Sequence, residues 1–291
     1  MSLNIIDVSS YQSDLDLHNV SYDGAIIKAT EGLGYVNPHC DIHFQQAKSM
    51  GNKRGVYHFA NNVNDAVAEA NYFVDNILGY VGDAILVLDY ERGNNDPRNV
   101  GWAKTWLDQV HARTGVKPLI YMSESNVNAV DWSPVFNADY GLWVAKYWDN
   151  SPQPNYNMAD AGPEPNVNWG AAGYAMWQWT STGRLDGYGG NLDCDIFYGD
   201  QGAWDKYANA QAPAPPAPTP PPETPAPVTP PTEPPIVNPD PTSPDPVTIP
   251  VTVTTTPPLA IPEPAPQGDS WFIKLVNAIV NFIKDVLGRK R

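Results

Sequence analysis

Apolar positions in the first 200 residues fall into short clusters separated by polar and glycine-rich stretches. The densest is Ala-Ile-Leu-Val-Leu-Asp-Tyr-Glu at 84–91, an uninterrupted apolar run ending in two carboxylates one residue apart. A run that short and apolar fits a strand buried on both faces, as in a parallel sheet or barrel. Eight such segments predict strands: Asn4–Val8, Ala25–Ala29, Arg54–Phe59, Ala84–Asp89, Pro118–Ser123, Tyr140–Ala145, Gly173–Trp179 and Leu192–Phe197. Between the early ones, His39–Met50, Asp65–Leu78 and Val100–Thr114 carry apolar residues at three- and four-residue spacing, which predicts helices. Asp65, with Glu69 close behind, marks one helix start, and Gly51, Gly79 and Gly115 stand where helices should end. Beyond the sixth strand come about 28 residues rich in Pro, Asn, Gly and Trp, and Thr180–Asn191 is rich in glycine. The expected class is α/β: a barrel that starts as regular βα units and ends mostly as β.

Composition divides the 291 residues into three parts. Of 31 prolines, 23 lie between 208 and 268, a stretch without one aromatic residue, so it cannot build a core. It reads as a disordered, extended linker of polyproline character, a plain spacer or a ligand for a proline-binding domain. Residues 269–291 change character again. Lys274, Asn277, Asn281, Lys284 and Asp285 form a narrow polar stripe, the rest is apolar, and Arg289, Lys290 and Arg291 follow. Five polar residues argue against a spanning helix. The pattern predicts an amphipathic helix for membrane or envelope contact, or for self-association.

The net charge is −15, and residues 1–207 hold 12 Lys and Arg against 25 Asp and Glu. That balance argues against nucleic acid, which needs clustered cations. Cys40 and Cys194 are expected to be free thiols. The first residues, Met-Ser-Leu-Asn-Ile-Ile-Asp, lack a basic segment followed by a long apolar run, so no secretory signal is expected.

Alternation along a strand puts Asp89 and Glu91 on one face. Two residues of strand span ~6.6 Å, close to the carboxyl separation of glycoside hydrolysis. Retention of configuration is the expected outcome where the carboxyl groups themselves approach closely enough to leave no room for a water between them. A salt-bridged barrel rim is the structural alternative. Asp7 ends the run Ile5-Ile6, and Asp193 and Asp195 lie on the last predicted strand. First and last strands are neighbours in a closed barrel, so these acids can meet the pair on the fourth strand. Crowded carboxyls push one another's pKa values apart and leave one protonated as an acid. Tyr57, Tyr121, Trp143, Tyr147 and Trp148 lie near strand ends, and Trp177 and Trp179 share a face. Such rings suit sugar faces, though most large aromatics are core. The five histidines show only the His39/His43 pair at helical spacing, so no metal or other cofactor is expected.

Seven motifs occur in order: Asp7-Val-Ser-Ser-Tyr-Gln, Ile27-Lys28-Ala29-Thr30-Glu31-Gly32, Gly55-Val56-Tyr57-His58-Phe59, Leu88-Asp89-Tyr90-Glu91, Leu142-Trp143-Val144-Ala145, Trp177-Gln178-Trp179 and Leu192-Asp193. The chain thereby resembles the glycoside hydrolase family 25 muramidases, the Chalaropsis-type lysozymes, many of them phage endolysins. The resemblance covers essentially all of residues 1–207. It implies an irregular TIM-like (β/α) barrel that cuts the β-1,4 bond between N-acetylmuramic acid and N-acetylglucosamine in peptidoglycan. Carried over by motif, Glu91 would be the general acid, with Asp89 beside it and Asp7 and Asp193 completing the acidic cluster. Tyr57, Tyr121, Trp143 and Trp177 would line the groove, with Lys28 and Glu31 as further substrate contacts. An endolysin would be made in a host cytoplasm and act on the wall after release. The family pattern usually has Asp-X-Asn where this chain has Asp193-Cys194-Asp195, which leaves the role of Asp195 open. A chitinase-type barrel needs Asp-X-Asp-X-Glu, and Val87 stands two residues before Asp89. A glycan-binding module has no need of a protonated carboxyl beside a charged one.

Overall fold

Each apolar run of the first 200 residues becomes a strand because both of its faces are covered. The computed structural model describes residues 1–91 and 98–209. Strands β1 (Leu3–Val8), β2 (Gly24–Glu31), β3 (Lys53–Phe59), β4 (Ile85–Asp89), β5 (Leu119–Ser123), β6 (Leu142–Ala145), β7 (Met176–Arg184) and β8 (Leu192–Phe197) fall on the eight predicted segments, with β7 starting later than Gly173 and running past Trp179 to Arg184. Pairing runs β1-β2-β3-β4-β5-β6-β7-β8 and returns from β8 to β1, so the sheet closes into an eight-stranded barrel. Two-residue strands at Tyr35–Val36 and Gln153–Pro154 add to β2 and β7.

Neighbours from β1 to β7 pair in parallel. Strand β8 is antiparallel to both of its neighbours. Its reversal matters for position: the start of β8, rather than its end, lies level with the carboxyl ends of the parallel strands, where barrel sites form.

Alternation sorts the core into two shells. Outward residues such as Ile6, Ile27, Val56, Leu86, Leu88 and Val144 pack beneath helices and loops. Inward residues Ile5, Ile26, Ile85, Val87, Leu119 and Met176 fill the barrel. Burying a side chain of this size contributes about 1.5–3 kcal/mol.

Helices α1 (Cys40–Ser49), α2 (Ala66–Ile77) and α3 (Val100–Thr114) connect β2 to β5 in the predicted places. Asp65 caps α2 by accepting from the Ala68 amide at 2.9 Å. Gly115 ends α3 in the left-handed conformation at φ 73°. Gly79 departs from expectation: it continues a 3-10 turn, Leu78–Tyr80, instead of stopping the helix. Glu69 does not serve the cap either, being turned inward and fully buried.

The second half has only single turns, α4 (Glu124–Val127) and α5 (Ser133–Phe136), before the β7–β8 pair. Helix α6 (Gln201–Ala208), which the hydrophobic pattern did not announce, starts at Asp200, whose side chain accepts from the Ala203 amide. Its Trp204 packs edge-on to Phe197 among the inward residues and closes the end of the barrel opposite the strands' carboxyl ends. Both cysteines are buried free thiols. From residue 210 onward the linker and the amphipathic tail lie outside the described residues.

Candidate active site

At the carboxyl ends of the parallel strands is a cleft of about 310 Å³. Its walls are Asp7, Ser9, Tyr11, Lys28, Tyr57, Phe59, Asp89, Glu91, Tyr121, Trp143, Tyr147, Gln178, Ser181 and Asp193. Strand geometry brings them together. Asp7 and Asp193 are cross-strand partners, as are Phe59 and Asp89, Asp89 and Tyr121, and Tyr121 and Trp143.

Four carboxyls therefore converge on one mouth, and Lys28 is the single cation among the described residues of its wall. Asp7 and Asp89 are buried, whereas Glu91 and Asp193 are partly open. Burial, then repulsion from Glu91, lifts Asp89 well above the usual carboxylate range, and Lys28 opposes the rise. Asp89 Oδ1 has no hydrogen-bond partner among the described residues. Glu91 is raised by burial and pulled back by Lys28. Burial and then Glu91 push Asp193 up to about 7. A site so arranged holds protons at neutral pH, which acid catalysis at a glycosidic oxygen requires.

Lys28 Nζ lies 2.6 Å from Glu31 Oε2 and 4.7 Å from the centre of the Phe59 ring. Glu31 itself stays outside the cleft wall and holds the lysine in place.

Gln178 links the two sides of the mouth. Its Nε2 donates to Asp7 Oδ2 at 2.6 Å, and its Oε1 accepts from Tyr121 Oη at 2.6 Å and from Tyr147 Oη. Tyr57 and Tyr121 are buried, and burial keeps both phenols protonated far beyond neutral pH.

One predicted groove residue is elsewhere. Trp177 points outward into the shell beneath the loops and donates its Nε1–H to the Lys146 carbonyl at 2.9 Å. The alternation that pairs Trp177 with Trp179 says they share a face, and that face is the outer one. Gln178 between them faces the cleft; a lone amide flanked by two tryptophans on a buried strand was the signal for it. Trp148 is exposed and not in the wall, while Tyr147 is.

The model described as "Glycosyl hydrolases family 25" matches residues 6–188. Lysozyme M1 of Streptomyces globisporus is 31% identical over 211 residues, covering 67% of this chain and 67% of that protein. The N,O-diacetylmuramidase of Chalaropsis is 36% identical over 137 residues, covering 41% of this chain and 65% of that one. Among solved structures, the bacterial lysozyme from Streptomyces coelicolor superposes with a TM-score of 0.59 at 28% identity, over 72% of this chain and 98% of that one.

Proposed function

The chain belongs to glycosyl hydrolase family 25, and from that membership we infer that it is a muramidase, a lysozyme that hydrolyses peptidoglycan. The bond cut is the β-1,4 link between N-acetylmuramic acid and N-acetylglucosamine. The observation that carries this reading is the mouth itself, in which Asp7, Asp89, Glu91 and Asp193 face one cleft beside Lys28 and aromatic walls.

Glu91 is the general acid. It is partly open to the cleft and burial raises it, so it carries its proton to the glycosidic oxygen as the bond from that oxygen to the sugar's C1 breaks. Asp89, at the end of β4 and drawn toward its ionised form by Lys28, offers negative charge to the positive charge growing at C1, directly or by orienting the substrate's N-acetyl oxygen for attack. Water then adds at C1 and returns a proton to Glu91, with retention of configuration. Asp7 and Asp193 complete the acidic field. Tyr57, Tyr121 and Trp143 supply ring faces and hydroxyls for the sugars, with Lys28 held ready by Glu31.

The three-part organisation belongs to the same proposal. The residues after α6, to 268, act as spacer, and 269–291 make contact with a membrane or envelope layer or self-associate, a reading supported by their amphipathic, basic-ended sequence. An endolysin made in a host cytoplasm and acting on the wall after release fits that arrangement.

The reading is tested by incubating purified peptidoglycan with the full chain and with Glu91→Gln. The wild type is expected to generate new reducing ends, and the variant to cosediment with the wall while generating ~10²–10⁴-fold fewer. Near-normal turnover by the variant would remove Glu91 as the acid.

A further inference from the structure

Asp195 lies one inward step deeper along β8 than Asp193, fully buried and outside the cleft wall, so substrate does not reach it. Its Oδ1 accepts from Trp143 Nε1 at 2.9 Å, and its Oδ2 has no donor among the described residues. Across β1 it pairs with Ile5, two residues before Asp7, and across β7 with Gln178, whose Nε2 is turned to Asp7. Asp7 and Asp195 stand diagonally across the β1–β8 pair, Asp7 opposite Asp193 and Asp195 opposite Ile5, close enough for their carboxyls to interact.

The groups facing this spot are mostly acids: Asp7 from β1, Asp193 on the same strand, Asp89 at the end of β4 and Glu91 just beyond it. The phenols Tyr57, Tyr121 and Tyr147 close the circle from β3, β5 and the segment after β6. Lys28 from β2 is committed to Glu31 and acts on Asp89 and Glu91. An ionised Asp195 would set a buried oxygen against a second carboxylate with no cation among the described residues to offset it, the least stable form the group could take. A proton on Oδ2 removes the charge and gives the bare atom a partner at once.

We propose that Asp195 is held as a neutral carboxylic acid that donates its Oδ2 proton to Asp7, a positioning residue that aims Asp7 at the cleft. Asp7 then accepts from two fixed donors, Gln178 Nε2 and Asp195, and its remaining freedom is directed upward to the substrate. Burial, with repulsion from Asp7 and Asp193, raises Asp195 far above the ordinary carboxylate range, consistent with a proton retained at neutral pH. The proposal rests on Asp7 belonging to the reaction, so its test has one readout that does not involve turnover.

Full-length wild type, Asp195→Asn and Asp195→Ala are compared after thermal scans establish that each folds. A difference infrared spectrum of wild type minus Asp195→Asn at neutral pH is expected to show the carbonyl stretch of a protonated carboxyl. Asparagine keeps a donor in the same place, so Asp195→Asn should hold most of kcat and lose the share of the alkaline decline that comes from Asp195 ionising. Asp195→Ala should lower kcat roughly ten- to hundredfold with little change in KM, the range that a hydrogen bond to a charged group sustains. A spectrum showing only ionised carboxylate overturns the proposal whatever the kinetics. So does a folded Asp195→Asn as impaired as Asp195→Ala, or an Asp195→Ala with wild-type kcat. Those outcomes leave the muramidase reading standing, since Glu91→Gln judges it separately.

Discussion

Replacing Asp193 by asparagine should make the protein more stable and less active, and the stability gain should depend on pH. Burial and Glu91 push Asp193 from 3.8 to about 7, so the fold disfavours its ionised form. Wild-type stability therefore falls as pH rises through the window from about 4 to about 7, because the unfolded chain releases this proton earlier than the folded one. The full rise corresponds to roughly 4 kcal/mol. Glu91 relieves part of the repulsion by keeping its own proton longer, so about half, roughly 2 kcal/mol, should survive in the measured difference. For a folded body of this size that is a Tm increase of about 4–8 °C at pH 8, shrinking to a small difference at pH 4, where Asp193 is neutral in the fold. Thermal scans of the full-length pair at the two pH values, with peptidoglycan turnover measured alongside, provide the assay. An equal Tm change at both pH values, or a lower Tm for the variant at pH 8, would refute the claim that the cleft stores the cost of ionising this acid.

Two further outcomes follow from the packing. Glu69→Ala should cost about 3 kcal/mol or more in urea unfolding, because Glu69 accepts from His58 Nε2 at 2.9 Å, the Asn61 amide at 2.9 Å and Asn64 Nδ2 at 2.6 Å, and each donor is left unmet; a loss below about 1 kcal/mol would show that the network is dispensable. A chain ending at residue 210 should fold and digest purified peptidoglycan at a rate close to that of the full chain, and failure to fold would refute the three-part organisation.

The strands were legible because a barrel strand buried on both faces leaves an unmistakable short apolar run; all eight segments form strands and helices α1 to α3 stand where the pattern placed them, but β7 runs on to Arg184 through residues expected to be a connection. The pair at Asp89 and Glu91 was legible for the same reason, as charge at the end of a run too apolar to be exposed. Alternation reports which residues share a face and not which face is inside, so it could not correct the placing of Trp177 in the groove by resemblance; the residue lies on the outer face. Gln178, whose hydrogen bonds hold the mouth together, was missed although a lone amide between two tryptophans on a buried strand marks it. The reversal of β8, which carries Asp193 to the mouth and Asp195 beneath it, comes from pairing across the closed barrel and leaves no local trace in sequence. Helix α6 is short and its apolar face is set by a tertiary target, Phe197 and the barrel floor, rather than by a long periodic pattern.

In the proposed reaction Glu91 protonates the oxygen leaving N-acetylmuramic acid. Its most direct test is a digest of purified peptidoglycan by wild type and by Glu91→Gln, reduced with borohydride and analysed by mass spectrometry. Reduced muramic acid is expected at the new fragment ends with wild type and none with the variant. Reduced glucosamine ends would contradict the assigned bond, and muramic acid ends produced equally by the variant would contradict the assigned acid.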